Sequence, residues 1–160
     1  MIIVLMGVSG AGKTTIGQLL AEELEWTFYD ADEFHTPANV EKMRRGEPLT
    51  DGDRASWLMK LGELLRTMLE AGSNAVLSCS ALKNAYREDL LIDDQVRLIY
   101  LKGDYSTIQG RLSQRRDHFM NPSLLKSQFA ALEEPDGAIT VDVAASPSEI
   151  VQSIRENLSV

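Results

Sequence analysis

Eight consecutive residues near the start of the chain have the spacing of a phosphate-binding loop, G-x-x-x-x-G-K-[ST]. The glycines let the backbone curl so that successive N–H groups point inward and hold phosphate oxygens, assisted by the positive end of the following helix. Lys13 would then reach the β- and γ-phosphates, and the Thr14 hydroxyl would hold Mg²⁺. The pattern predicts a bound nucleotide with Mg²⁺, and the residues expected to contact the nucleotide are Gly7, Val8, Ser9, Gly10, Ala11, Gly12, Lys13, Thr14 and the adjoining Thr15. The loop alone leaves GTPases, motor-like ATPases and small-molecule kinases open; two carboxylates further along the chain favour a kinase that uses ATP.

Two carboxylates, Asp30 and Asp32, could supply the acidic groups that phosphoryl transfer needs. The sequence has no N-K-x-D guanine motif, and the run Ala75–Ser78 does not end in the Asp of a standard Walker B strand. If an extended chain persists through both residues, side chains two apart share a face and project toward the phosphates together. One would help to hold hydrated Mg²⁺, and the other would orient or deprotonate an acceptor hydroxyl. The alternative is a solvated turn or a helix cap, which is common for Asp.

The elements that must position these groups follow an alternating pattern. Helical periodicity separates most of five short β-rich or apolar runs, which are Ile2–Met6, Thr27–Asp30, Ala75–Ser78, 96–101 and 138–143. This alternation predicts an α/β fold with a five-stranded parallel sheet flanked by helices. Ligands of such sheets bind at the carboxyl ends of the strands, where the loop and the two Asp residues fall.

Several residues are typical of helix ends. Thr36 is expected to cap a short helix that begins at Pro37, and Asp51 to cap a longer apolar-striped helix that Gly72 ends. Near the C-terminus, Ser146 and Glu149 have the spacing of a capping box.

Length and composition narrow the class of protein. The 160 residues suffice for one domain, predicted to span 1–160, and no segment approaches the ~20 apolar residues of a membrane span. The single Cys79 is expected to be a buried small side chain at a strand end, and one cysteine leaves no internal disulfide framework. The first apolar run is too short for a signal peptide, so we expect a cytoplasmic protein. A net charge of −8 argues against broad nucleic-acid binding.

Basic residues gather in one short stretch late in the chain: Arg111, Arg115, Arg116 and Lys126. They could form a local site for an anionic ligand, or simply a solvated helix face. Residues 117–122 interrupt two helical stretches and are the best candidate for a mobile lid.

Many residues beyond the loop resemble the gluconate kinase family. The matching positions are 30–35, Asn39, 41–43, Gly46, 48–49, Asp51, 53–54, 57–58, 78–83, 86–87, 100–104, 111–112, 118–119, 128–129 and 132–135. The resemblance covers nearly the whole chain, from about residue 2 to about residue 145, and is far more specific than the loop alone. It implies a nucleoside-monophosphate-kinase-like fold, shared with shikimate kinase, and a lid over approximately 111–126.

The resemblance also implies roles for individual residues. Asp30 would lie near Mg²⁺ and Asp32 near the attacking hydroxyl, while substrate-binding candidates are His35, Arg54, Lys83 and Arg87. We prefer Arg54 as the carboxylate clamp because a guanidinium offers a planar fork; His35 could instead be a loop histidine with local hydrogen bonds. On the nucleotide side, Arg111 would stack on adenine, and Arg115 and Arg116 lie where lid arginines would close on the phosphates. We expect at least one of Arg115 and Arg116 to have this function. The catalytic set is therefore Lys13, Asp32 and Arg116.

Two positions depart from the family pattern, in which Gly is usual where Ala31 stands and frequent where Asp117 stands. Neither removes a group with a chemical role, so the leading hypothesis is ATP-dependent phosphorylation of D-gluconate at its 6-hydroxyl. The alternatives are a kinase for another small sugar acid or polyol, and a nucleotide-binding regulatory protein without catalysis. The resemblance makes a homodimer plausible, while the sequence itself leaves the oligomeric state open.

Overall fold

The computed structural model describes residues 1–114 and 122–160, which form one α/β unit. Its strands are β1 (Ile2–Met6), β2 (Thr27–Asp30), β3 (Ala75–Ser78), β4 (Val96–Lys102) and β5 (Ile139–Asp142). Its helices are α1 (Lys13–Leu24), α2 (Pro37–Arg44), α3 (Asp51–Glu70), α4 (Asn84–Leu90), α5 (Tyr105–Gln114), α6 (Pro122–Ala131) and α7 (Pro147–Leu158), with a 3₁₀ turn at Ala31–Phe34.

The described strands form the predicted parallel five-stranded sheet, in the order β2-β3-β1-β4-β5. Leu5 and Asp30 both pair with Ser78, so β1, β2 and β3 end at the same edge. The phosphate-binding loop follows β1 at this edge. Parallel pairing therefore brings the loop and the end of β2 together although they are far apart in the chain.

The central strand β1 is buried along its whole length, which explains its unbroken apolar sequence. Ile3 and Leu5 pack in one cluster with residues of α1 and α7. Ile2, Val4 and Met6 pack on the opposite face, in a cluster that includes α3. The two apolar layers fix the sheet beneath the loop.

Helix caps confirm two of the three predicted starts. Thr36 caps α2 and Ser146 forms the capping box of α7 with Glu149. The prediction for α3 was wrong by one residue: Thr50, not Asp51, is the cap, because its hydroxyl accepts the Asp53 N–H while the Asp53 carboxylate accepts the Thr50 N–H.

The predicted strand bounds and the predicted burial of Cys79 agree with the structure to within one residue. Strand β4 runs one residue further than expected, to Lys102, and β5 is shorter than the expected run at both ends. Cys79 is buried directly after β3. Within the described ranges, no helix combines the length and the apolar content that crossing a membrane would take.

Candidate active site

A cavity of about 380 Å³ opens at the carboxyl edge of the sheet, between the phosphate-binding loop, α2, α3 and α6. One side of it carries loop residues, and the other side carries mixed polar and apolar side chains. Its lining is Ser9, Lys13, Asp32, His35, Val40, Met43, Arg44, Glu47, Pro48, Leu49, Arg54, Trp57, Ser80, Leu124, Ser127 and Gln128. The cavity thus joins the predicted phosphate-binding loop to a space lined by α2, α3 and α6.

The loop has the curled backbone that its glycines predict. Gly10 and Gly12 have φ values of 84° and 95°, in the left-handed region that side chains disfavour. A Cβ at Gly10 would also lie 2.9 Å from Leu112 of α5. Lys13 Nζ donates to the Val8 carbonyl oxygen at 3.1 Å, so the lysine folds back over its own loop. Burial lowers the pKa of Lys13, and the nearby Asp32 opposes that effect.

Thr14 and Asp30 bring two oxygens together beside the loop. The Thr14 hydroxyl donates to Asp30 Oδ2 at 3.0 Å. Among the described residues, no group of three or more His, Cys, Asp or Glu side chains could hold a metal. Two protein oxygens suit Mg²⁺, which usually keeps several waters and takes further ligands from substrate phosphates. These residues therefore fit the metal that the sequence predicts.

Asp32 reaches the cavity for a different reason from the one expected. The strand ends at Asp30, and Asp30 Oδ1 accepts the Asp32 N–H at 3.1 Å, which caps the 3₁₀ turn. The extended geometry therefore does not persist, and it is the turn that brings Asp32 to the cavity wall.

The environment of the Asp32 carboxylate raises its pKa above the ordinary value of an aspartate, which makes it a stronger proton acceptor. Surrounding protein reduces its hydration and raises its pKa, Lys13 counters this, and Asp30 adds to it. The side chain is 74% exposed, so water at the cavity mouth tempers the effect. A ligand that covers the carboxylate would strengthen it.

His35 and Trp57 form an aromatic wall of the cavity. Their rings stack with centroids 4.5 Å apart and an interplanar angle of 11°, and Trp57 Nε1 donates to the Ala31 carbonyl oxygen at 2.6 Å. Only 4% of the His35 side chain is exposed, and burial lowers its pKa. Its Nε2 lies 3.9 Å from Asp32 Oδ1, and its buried Nδ1 has no hydrogen-bond partner among the described residues. Ala31 itself is fully buried behind this wall.

Arg54 is the predicted substrate residue that the structure brings to the cavity from α3. Its Nη1 donates to the carbonyl oxygen of Leu49 and, at 3.4 Å, to the hydroxyl of Tyr86, while its guanidinium lies 5.4 Å from the centre of the Tyr86 ring. These contacts hold the guanidinium in place through one nitrogen. Nε and Nη2 make no hydrogen bond within the part of the chain that the structure describes. They remain available to a ligand.

Lys83 and Arg87, the other predicted basic substrate residues, do not line the cavity. Lys83 Nζ lies 2.9 Å from Asp51 Oδ1. The Arg87 side chain is buried and donates to Ala81 O, Leu82 O and Asn84 Oδ1 at 3.0–3.1 Å. Ala81 has a positive φ of 43°, so Arg87 secures a strained turn next to Ser80. These contacts hold the guanidinium against oxygens of its own chain, and its predicted role in substrate binding stays a prediction.

The predicted basic cluster is only partly described. Arg111 lies in α5 and donates to the Val143 carbonyl oxygen rather than lining the cavity. Arg115, Arg116 and Asp117 fall outside the described residues. Of the expected lid, residues 111–114 and 122–126 are described, as the end of α5 and the start of α6.

Sequence reasoning missed several residues that line the cavity. Val40, Met43 and Arg44 share one face of α2 at spacings of three and four, a signal that periodicity could have revealed. Gln128 of α6 is less obvious: its Oε1 accepts the Ser9 N–H at 2.7 Å, which ties that helix to the phosphate loop.

Comparison with known proteins gives consistent results along the chain. The profile of the shikimate kinase family matches residues 9–158. The chain is 43% identical to a probable gluconokinase of Mus musculus, covering 98% of this chain and 97% of that one. It is 50% identical to a gluconokinase of Gluconobacter oxydans, covering 83% and 75%. The structure is similar to that of a gluconokinase from Sinorhizobium meliloti, with a TM-score of 0.86, 40% identity and coverage of 98% and 94%.

Proposed function

Because this chain belongs to the gluconokinase family, within the wider shikimate kinase family, we propose that it transfers the γ-phosphoryl group of ATP to the 6-hydroxyl of D-gluconate. The product would be 6-phospho-D-gluconate, formed by a phosphotransferase with an alcohol group as acceptor. One observation carries the proposal beyond family membership. Lys13 of the loop and Arg54 line the same cavity, which supports adjoining sites for a phosphate and a sugar acid.

The nucleotide side is held by the phosphate-binding loop. Backbone N–H groups of the loop and Lys13 would bind the β- and γ-phosphates, and Thr14 and Asp30 would hold Mg²⁺. When bound, Mg²⁺ neutralises the charge that develops on the phosphates. Arg111, Arg115 and Arg116 remain proposals for the adenine and phosphate contacts that the resemblance implies.

The site for the sugar acid needs one group that takes up the hydroxyl proton and one cation that binds the substrate carboxylate. The acceptor hydroxyl oxygen bonds to the γ-phosphorus, the bond from that phosphorus to the β–γ bridging oxygen breaks, and ADP leaves. The hydroxyl proton passes to the Asp32 carboxylate. Arg54 offers Nε and Nη2 as a fork for the substrate carboxylate, which sets the orientation of the far hydroxyl. His35 and Trp57 supply a rigid wall beside them.

A kinase for another small sugar acid or polyol would use the same phosphate machinery and differ only in the acceptor contacts. The mixed lining of the cavity, with Val40, Met43 and Leu49 beside Arg44 and Arg54, leaves such acceptors to be tested. The third possibility is a nucleotide-binding regulatory protein without catalysis. The nearness of Asp32 to Lys13 favours a catalytic role instead. We propose a cytoplasmic location, and the family resemblance keeps a homodimer as an expectation.

A coupled assay of ADP release tests the proposal with gluconate, shikimate, nucleoside monophosphates and neutral polyols as acceptors. Efficient turnover is expected with gluconate in the presence of ATP and Mg²⁺. Turnover with another acceptor and not with gluconate would show that gluconate is not the substrate. Binding of ATP without turnover on any acceptor would favour a regulatory protein without catalysis.

A further inference from the structure

Gln128 of α6 contacts the phosphate-binding loop at the wall of the cavity. Its Oε1 accepts the Ser9 N–H at 2.7 Å, a short and well-formed hydrogen bond between residues 119 positions apart. Both residues line the cavity, together with Lys13 and Arg54. Gln128 therefore lines the same cavity as the loop lysine and the arginine proposed to bind the acceptor.

The contact with Ser9 also fixes which way the amide points. A backbone N–H can only donate, so it selects the oxygen of the Gln128 amide and leaves the NH₂ group on the other side. Within the ranges that the structure describes, no hydrogen bond uses that Nε2. The loop thereby orients two free N–H donors on a side chain of the cavity wall.

We propose that Gln128 is a substrate-contacting residue, whose Nε2 donates to an oxygen of the phosphoryl group during transfer. This inference rests on the proposed phosphoryl transfer and adds a contact from α6 to it. A preorganised donor aimed at developing charge stabilises the transition state more than either ground state. The contact should therefore act on kcat more than on the KM of ATP or of the acceptor.

Two substitutions separate this role from a purely structural one. Gln128→Met removes both the acceptor for Ser9 and the donor, whereas Gln128→Glu keeps an oxygen for the Ser9 N–H and removes the donor. For Gln128→Met we expect kcat to fall roughly 10- to 100-fold, the worth of one hydrogen bond to a charged group, with the KM of the acceptor changed less than about threefold. Gln128→Glu should lose at least as much kcat.

Gln95→Glu is the matched control for the added charge, because Gln95 is exposed and precedes β4 at the opposite edge of the sheet. Thermal midpoints of all variants show whether each is folded. Near-normal kcat in Gln128→Glu would overturn the proposal and leave Gln128 with only a structural role, which is to support the loop through Ser9. A rise in the KM of ATP at unchanged kcat in Gln128→Met would also overturn it.

The intrinsic hydrolysis of ATP keeps this test separate from the choice of acceptor. If wild-type protein fails to phosphorylate gluconate, the proposed substrate is wrong, yet the same variants can be compared with water as the acceptor. The expected fall in hydrolysis for both Gln128 variants supports the inference; hydrolysis equal to wild type contradicts it.

Discussion

The hydroxyl of Thr14, in the first turn of α1, donates to Asp30 Oδ2 at the end of β2 across 3.0 Å. The bond joins a residue of the phosphate-binding loop to a carboxylate on the edge strand of the sheet. It prearranges two oxygen ligands at the place where a nucleotide would bring its phosphates.

This pair predicts how the magnesium requirement responds to substitution. Thr14→Ala and Asp30→Asn should each raise the Mg²⁺ concentration needed for half-maximal activity, by roughly tenfold or more, since even outer partners of metal ligands contribute about 10- to 100-fold in affinity. Mg²⁺ titrations at fixed ATP measure this. Thr67→Ala, on the exposed face of α3, is the control and should leave the titration unchanged. If Thr14→Ala and Asp30→Asn both left the Mg²⁺ dependence unchanged, that result would contradict their proposed role as Mg²⁺ ligands.

Arg54 is expected to distinguish acids from neutral acceptors. Arg54→Ala should lower kcat/KM for gluconate by about 10- to 100-fold or more, because a charged hydrogen-bonded partner of the carboxylate is lost. A neutral polyol should lose much less. Arg54→Lys should recover only part of the activity, because an ammonium lacks the planar fork. Arg97→Ala, exposed on β4, is the matched control. Equal losses for acid and polyol would argue against a carboxylate clamp.

Arg87 is expected to affect stability rather than substrate binding. Arg87→Met leaves the carbonyl oxygens of Ala81 and Leu82 without their donor, so we expect a loss of about 2–4 kcal/mol in the free energy of unfolding. Urea denaturation measures it, with Arg66→Met on the exposed side of α3 as control. At a temperature where the variant is folded, kcat/KM should stay within a few-fold of wild type. A large fall in kcat/KM at unchanged stability would place Arg87 at the substrate instead.

Asp53 predicts a pH dependence of stability. Hydrogen bonds from Lys42 first, and then from Thr50, lower the pKa of Asp53 to about 2 in the folded protein. Since this lies below the usual value of 3.8, the carboxylate stabilises the fold above about pH 4 and loses that contribution as the pH falls from about 4 to about 2. Urea denaturation at several pH values should show a shallower decline for Asp53→Asn than for wild type. The exposed Asp94→Asn should follow wild type, and an Asp53→Asn curve parallel to wild type would contradict the linkage.

The sequence predicted most of the fold because its strongest signals are local. Apolar runs such as β1, the glycines of the loop and the Ser146 cap each depend on a few neighbouring residues. The expected continuation of the strand to Asp32 was wrong, because the preference of Asp30 to cap a turn outweighs it; the turn nevertheless leaves Asp32 lining the cavity. At α3, Thr50 and Asp53 satisfy each other's N–H groups, which single-residue cap preference did not foresee.

The rest of the candidate site depends on contacts between distant segments, which spacing cannot show. A basic side chain such as Arg87 looks the same in the sequence whether it meets a substrate or three oxygens of its own loop. The contact of Gln128 with Ser9 forms only because α6 packs over the loop in the folded chain. Long-range packing therefore decides which polar residues face the cavity.

Phosphoryl transfer to the 6-hydroxyl is tested most directly by identifying the product of wild-type protein incubated with ATP, Mg²⁺ and D-gluconate. Phosphorus–proton correlation NMR, with mass spectrometry, reports both whether a phosphoryl group is transferred and which carbon carries it. We expect one product, with phosphorus coupled to the protons on C6, and formation of ADP in equal amount. A phosphate on another carbon, or no phosphorylated gluconate while another acceptor is consumed, would contradict transfer to the 6-hydroxyl of gluconate.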